Sequence, residues 1–253
     1  MIGVFDSGSG GLTVLRAIRD RIPSSDIVYF GDIKNAPYGS RPAEELSMLT
    51  IQALTFLQAQ GARSIVSACN SVSASLALSL FDMFSLEPRS LIEMVGPTAG
   101  YFRGSDARLA LCATPATIRS GVYQNAFRMV GKEVTYIAIP DLAGTIEFGT
   151  DVGQMEEMVR TAFRDVPAGS FDVLVLACTH YPLIADVFKK VFGEKIFVFD
   201  PALAVGERVE ELFWPREAGY GKMRFCISKD SEHFRGFVSR LFPGEKYTIE
   251  VIE

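Results

Sequence analysis

The sequence predicts an α/β protein built from two doubly wound parallel sheets, on three observations. Short apolar runs of strand type alternate with longer amphipathic stretches along the chain, the order that produces parallel sheets covered by helices on both faces. At 253 residues the chain lies where a single hydrophobic core stops growing, so two domains of about half that size are expected. The apolar runs 64–68 and 173–177 each end in a cysteine followed by a polar residue, Cys69-Asn70 and Cys178-Thr179, so one pattern occurs in both halves.

The elements follow in order. The apolar run 2–5 is the first strand, and the glycine-rich turn 6–11 leads from it into helix 11–21. Strand 26–30 precedes a loop punctuated by proline and glycine, Ala36-Pro37-Tyr38-Gly39, and then helix 44–60. Strand 64–68 runs into Cys69-Asn70-Ser71, which opens helix 71–81, and strand 92–95 stops at Gly96-Pro97. A new series starts with strand 108–113, followed by Thr114-Pro115-Ala116-Thr117 before a helix, helix 121–130, strand 134–138 and helix 154–163. Strand 173–177 leads through Cys178-Thr179-His180-Tyr181-Pro182 into another helical stretch, and strand 196–199 ends at Asp200-Pro201, after which 205–213 reads as helix and 223–227 as strand. The expected domains are 1–95 plus 205–253, a discontinuous first unit, and 96–204, the second.

Composition narrows the function. The net charge of -5, with no run of Lys or Arg, lacks the basic excess of a phosphate-tracking surface, so nucleic-acid binding is not expected. The first apolar run is cut off by Asp6 and has no charged leader before it, unlike a secretory signal. No charge-free stretch reaches the roughly 18 residues that span a bilayer. The chain reads as soluble and cytosolic. Its four cysteines are scattered, which suits reduced thiols better than a disulfide framework.

Several motifs carry chemistry. In Asp6-Ser7-Gly8-Ser9-Gly10-Gly11 the glycines permit a tight turn and leave amides open to an anion at a helix start, or serve as a structural turn. A dinucleotide fingerprint would need glycine where Thr13 stands. Cys69 and Cys178, each between a strand end and a helix start, would have thiol pKa values lowered from about 8.5 by the helix dipole. His180 is placed to act as acid, base or ion-pair partner for a thiolate, whereas His233 sits in a charged stretch and reads as a surface residue. Cys112 and Cys226 read as buried packing residues. A zinc site from Cys69, Cys178 and His180 matches no ligand spacing, and a Cys-His hydrolase would leave the second cysteine without a role. Thr114 and Thr117 can bind a ligand or cap the following helix.

These residues resemble the glutamate racemases of the aspartate/glutamate racemase superfamily. The likeness rests on 5–14, on Gly31-Asp32 with Ala36-Pro37-Tyr38-Gly39, on Ala68-Cys69-Asn70-Ser71, on 113–118 and on 178–183. Departures include Ser71 where the family usually has threonine and Ala177 where it usually has glycine. The resemblance implies two pseudo-symmetric α/β domains with the active site in the cleft between them, a homodimer, no cofactor and no metal. It also implies interconversion of L- and D-glutamate for peptidoglycan precursors. Cys69 would exchange the proton on the D-face and Cys178 on the L-face, assisted by Asp6 and His180. Ser7, Tyr38, Gly39, Asn70, Ser71, Thr114, Thr117, Glu147 and Thr179 would line the substrate site. The alternatives are another small acidic amino acid such as aspartate, a decarboxylase, which would need only one of the two cysteines, and a non-catalytic ligand-binding regulator.

Overall fold

The structure, a computed structural model, describes residues 1–75, 89–149 and 151–252. Strands β1 (Ile2–Asp6), β2 (Ile27–Gly31) and β3 (Ser64–Ser67) are buried at every position, as strands sandwiched between helix layers must be. With β4 (Leu91–Glu93), β9 (Met223–Ile227) and β10 (Tyr247–Val251) they form a six-stranded parallel sheet in the order β10-β9-β2-β1-β3-β4. A second, four-stranded parallel sheet has the order β6-β5-β7-β8, from β5 (Leu109–Ala113), β6 (Val134–Ala138), β7 (Val173–Ala177) and β8 (Phe197–Phe199).

Helices cover both faces of each sheet. On the first sheet, α1 (Leu12–Arg21) buries Leu12, Val14, Leu15 and Ile18 in one core with Val205, Val209 and Phe213 of α9 (Ala202–Phe213). The opposite face holds Leu46, Leu49, Leu54 and Leu57 of α2 (Ala43–Ala59). On the second sheet, α3 (Val95–Tyr101) and α5 (Val122–Met129) supply Val95, Ala99, Tyr123 and Phe127 to one core. The other face takes Leu142 and Ile146 of α6 (Leu142–Phe148), Met155 and Val159 of α7 (Val152–Ala162) and Phe188 of α8 (Ala185–Phe192). Between β5 and α5 lies the short α4 (Pro115–Ser120), and α10 (Glu232–Leu241) joins β9 to β10.

Topology decides where a ligand goes. In the first sheet the chain runs from β1 outward to β2 and then returns to the other side of β1 as β3; in the second, β5, β6 and β7 repeat that path. Each reversal leaves a crevice beyond the carboxyl ends of two strands, the place where open α/β sheets bind ligands. Residues 6–7 and Cys69 border the first crevice, Thr114 and Cys178 the second.

The sequence-based reading differs from this fold in places with local causes. The segment expected as strand 92–95 is strand only to Glu93, and Gly96-Pro97 lies inside α3. The Glu93 carboxylate accepts from the amides of Val95 and Gly96 at 2.5 and 2.6 Å, starting the helix, and Pro97 in its first turn gives up no needed N–H. Residues Asn70–Ser75 form a 3-10 turn, and the remainder of the expected helix 71–81 lies outside the described residues. Helix α9 begins at Ala202 rather than 205, its amide bound to Asp200 Oδ1 at 2.9 Å. Among the described residues no helix is long and apolar enough to cross a membrane.

Candidate active site

The turn after β1 is built to be approached closely by the second half of the chain. A Cβ on Gly8 would lie 2.5 Å from Glu147 Oε2, and one on Gly10 2.5 Å from Thr179 Oγ1, so only glycine fits at either position. Glu147 accepts from the Ser9 amide at 2.7 Å and from Ser9 Oγ at 3.0 Å. The anion that this turn attracts is thus one of the protein's own carboxylates. Asp6, fully buried, accepts from the Gly8 amide and from Thr179 Oγ1, both at 2.9 Å.

Two sulfurs border one cavity, Cys69 from beyond β3 and Cys178 from beyond β7. Cys69 donates to Ser7 Oγ at 3.7 Å. Its thiol was expected to titrate low beside a helix start. Instead burial, followed by the negative charge of Asp6 and a further push from Cys178, raises it to about 12, so it is protonated at neutral pH. The short 3-10 turn after Cys69 supplies too small a dipole to offset the lost hydration.

Cys178 has a different neighbour. Its Sγ lies 4.0 Å from His180 Nδ1, and His180 Nε2 lies 2.7 Å from Glu147 Oε2. Burial opposes the imidazolium, yet hydrogen bonds to Cys178 and Glu147 and the charge of both outweigh it and raise His180 well above the ordinary histidine range. Burial likewise opposes ionisation of Glu147, and the His180 and Ser9 contacts overcome it to hold the carboxyl below its usual range. Cys178, His180, Glu147 and Ser9 therefore form one buried relay. Asp6 moves the other way, up, because burial exceeds the help from His180, Gly8 and Thr179.

The rest of the wall comes from both halves. Tyr38 packs on Phe5 and donates to Asp32 Oδ2 at 2.6 Å, while the Gly39 carbonyl accepts from the Ala116 amide at 2.9 Å. Ser71 Oγ and Thr114 Oγ1 meet at 3.0 Å, and Thr114 also caps α4 by accepting from the Thr117 amide at 3.3 Å. Asn70 Oδ1 accepts from Tyr123 Oη at 2.5 Å. Ser7, Tyr38, Gly39, Asn70, Ser71, Thr114, Thr179 and His180 line the cavity with the two cysteines. Asp6, Glu147 and Thr117 stand behind Thr179, His180 and Thr114. Pro37, which the sequence offers only as loop punctuation, and Ala143, which it does not mark, also join the wall, and Ser9, Asp32 and Tyr123 support it. Among the described residues no group of three or more His, Cys, Asp or Glu is arranged to hold a metal ion.

The model of one protein family, Asp/Glu/Hydantoin racemase, matches residues 12–208. The chain belongs to the Asp/Glu/Hydantoin racemase family. Similar members include a glutamate racemase of Thermoanaerobacter pseudethanolicus, 32% identical over 92% of this chain and 89% of that protein. A glutamate racemase of Aquifex aeolicus is also 32% identical, over 97% of this chain and 94% of its own length. Among solved structures, a Bacillus anthracis glutamate racemase superposes with a TM-score of 0.88 at 27% identity, covering 100% of this chain and 97% of that one. A Francisella tularensis glutamate racemase in complex with D-glutamate gives 0.86 at 25% identity, with the same coverage. In this racemase family member each sheet contributes one sulfur to the cavity wall.

Proposed function

We propose that this protein interconverts L- and D-glutamate by a two-base mechanism that needs no cofactor. The observation that carries the reading is the pair Cys69 and Cys178, at equivalent ends of β3 and β7, bordering one cavity. It is supported by similarity to glutamate racemases and to a racemase structure holding D-glutamate.

In the L-to-D direction the Cys178 thiolate, balanced by the His180 imidazolium, takes the α-hydrogen. The C–H bond breaks, an S–H bond forms, and the electron pair stays on the α-carbon and its carboxylate. The Cys69 thiol then gives its proton to the opposite face, leaving a Cys69 thiolate and a Cys178 thiol. The reverse direction runs the same transfers backwards, with Asp6 and His180 as proton partners of the two sulfurs. Donors already in place and exclusion of water stabilise the carbanion. By family resemblance the reading extends to a cytoplasmic homodimer that supplies D-glutamate for peptidoglycan, with 1–95 plus 205–253 as one domain and 96–204 as the other.

Racemisation of L-glutamate in heavy water tests the mechanism. Early D-glutamate should carry deuterium at the α-carbon while the remaining L-glutamate stays largely unlabelled, and equal labelling of both would defeat the two-base scheme. Cys69→Ser and Cys178→Ser should each lower turnover by about 10²–10⁴-fold while D-glutamate binding, read by calorimetry, persists. Full turnover in either variant would remove that sulfur from the reaction.

A further inference from the structure

The amide of Asn70 has one end occupied and one end free. Oδ1 accepts from Tyr123 Oη at 2.5 Å, whereas Nδ2 is buried and has no hydrogen-bond partner among the described residues. Asn70 borders the cavity between the two cysteines. Buried donors are almost always paired, and leaving one unpaired is costly, so this one points to a ligand that brings its own acceptor.

An asparagine amide fits its site nearly as well after a half-turn that exchanges oxygen and nitrogen. Only its neighbours choose between the two orientations. Tyr123 is fully buried on α5, its ring stacked near that of Phe127, which fixes its phenol oxygen against the Asn70 amide. With the phenol donating to Oδ1, Nδ2 is the atom left for the cavity. A turned amide would face an anionic substrate with an oxygen.

We propose that Tyr123 is a positioning residue for racemisation, locking the Asn70 amide so that Nδ2 donates to a carboxylate oxygen of the bound amino acid. The identity of that ligand rests on the function proposed above; the locking itself does not. As the α-proton leaves, negative charge spreads onto the α-carboxylate, so a donor fixed there gains strength in the transition state. The effect should therefore fall on kcat more than on KM.

Tyr123→Phe should lower kcat/KM by about tenfold, mostly through kcat. In an Asn70→Ala background the same change should cost less than about twofold, because the group being positioned is gone. A merely structural role predicts equal losses in both backgrounds. The Asn70 side-chain amide pair, assigned in a ¹H–¹⁵N spectrum by its absence from Asn70→Ala, should shift in Tyr123→Phe while backbone signals remote from both residues hold their positions. Wild-type kcat/KM in Tyr123→Phe, equal losses in both backgrounds, or an unmoved amide pair would each overturn the proposal. If the unmodified protein fails to racemise glutamate, the function falls by itself, and the spectrum still decides the positioning.

Discussion

Glu147 is the residue on which the Cys178 side of the site leans. Its carboxylate takes two hydrogen bonds from Ser9 and one from His180, and its charge helps to hold the imidazolium in a buried setting that by itself would expel it. Glu147→Gln keeps the shape and removes the charge, so His180 should lose its proton at lower pH. The alkaline limb of the pH–kcat profile should then move toward lower pH and the maximal rate fall by about tenfold or more; a profile with an unchanged limb would separate the relay from catalysis. At this scale the two cysteines were legible because a thiol at a strand end is a local pattern that occurs twice. Tyr123 was not, since its partner Asn70 lies 53 positions away and a buried tyrosine reads as core. The high titration of Cys69 was equally out of reach, because burial and the charge of Asp6 arise only in the folded chain.

Among elements, the connection from β8 to α9 carries a carboxyl that the fold tolerates at a cost. Burial raises Asp200 to about 6, opposed only by the Ala202 amide, against an ordinary value of about 3.9. The folded state therefore binds more protons than the unfolded state across that interval, and stability falls as pH rises through it. The penalty is absent below about pH 4 and complete above about pH 6. Asp200→Asn, which keeps the acceptor for Ala202, should stabilise the protein by about 1–2 kcal/mol at neutral pH, a figure reduced from the full shift because the residue is partly reached by solvent. Urea unfolding should show that gain shrinking to nothing near pH 4; a gain independent of pH would assign it to packing. The alternation of strands and helices was readable because parallel strands buried on both faces are continuous apolar runs. Helix α3 was hidden by Gly96-Pro97, which normally punctuate loops, and β10 by its position at the sheet edge, where it is mostly exposed and carries alternating polar residues.

For the whole molecule, the cavity between the sulfurs has a volume of about 10 Å³, at most the room of a single water. An amino acid does not fit this cavity unless its wall gives way. A recess of about 170 Å³, lined by Pro37, Gly39, Thr114, Arg119 and Ala143, adjoins that cavity and shares four wall residues with it. Beside this recess the seam is tight at Gly39, where a Cβ would sit 2.7 Å from Thr114 Cβ. Gly39→Ala should keep the seam from closing and lower kcat/KM by about tenfold, with little change in the unfolding midpoint, because the strain falls between the halves rather than inside either core. Steady-state kinetics beside a melting curve would check this, and a large drop in the midpoint would mean that the loop is needed for folding. The bonds across the seam, Asp6 to Thr179 and Ser9 to Glu147 among them, could not be read from the sequence because no local spacing encodes them.

The mirrored strand ends have a stereochemical consequence. On the two-base mechanism proposed above, either crevice alone, with its single sulfur, would lift a hydrogen from one side of a carbon and return it to that same side, so a detached half would wash isotope in and out of one enantiomer without changing its hand. On that mechanism, inversion requires both crevices to open onto a shared space.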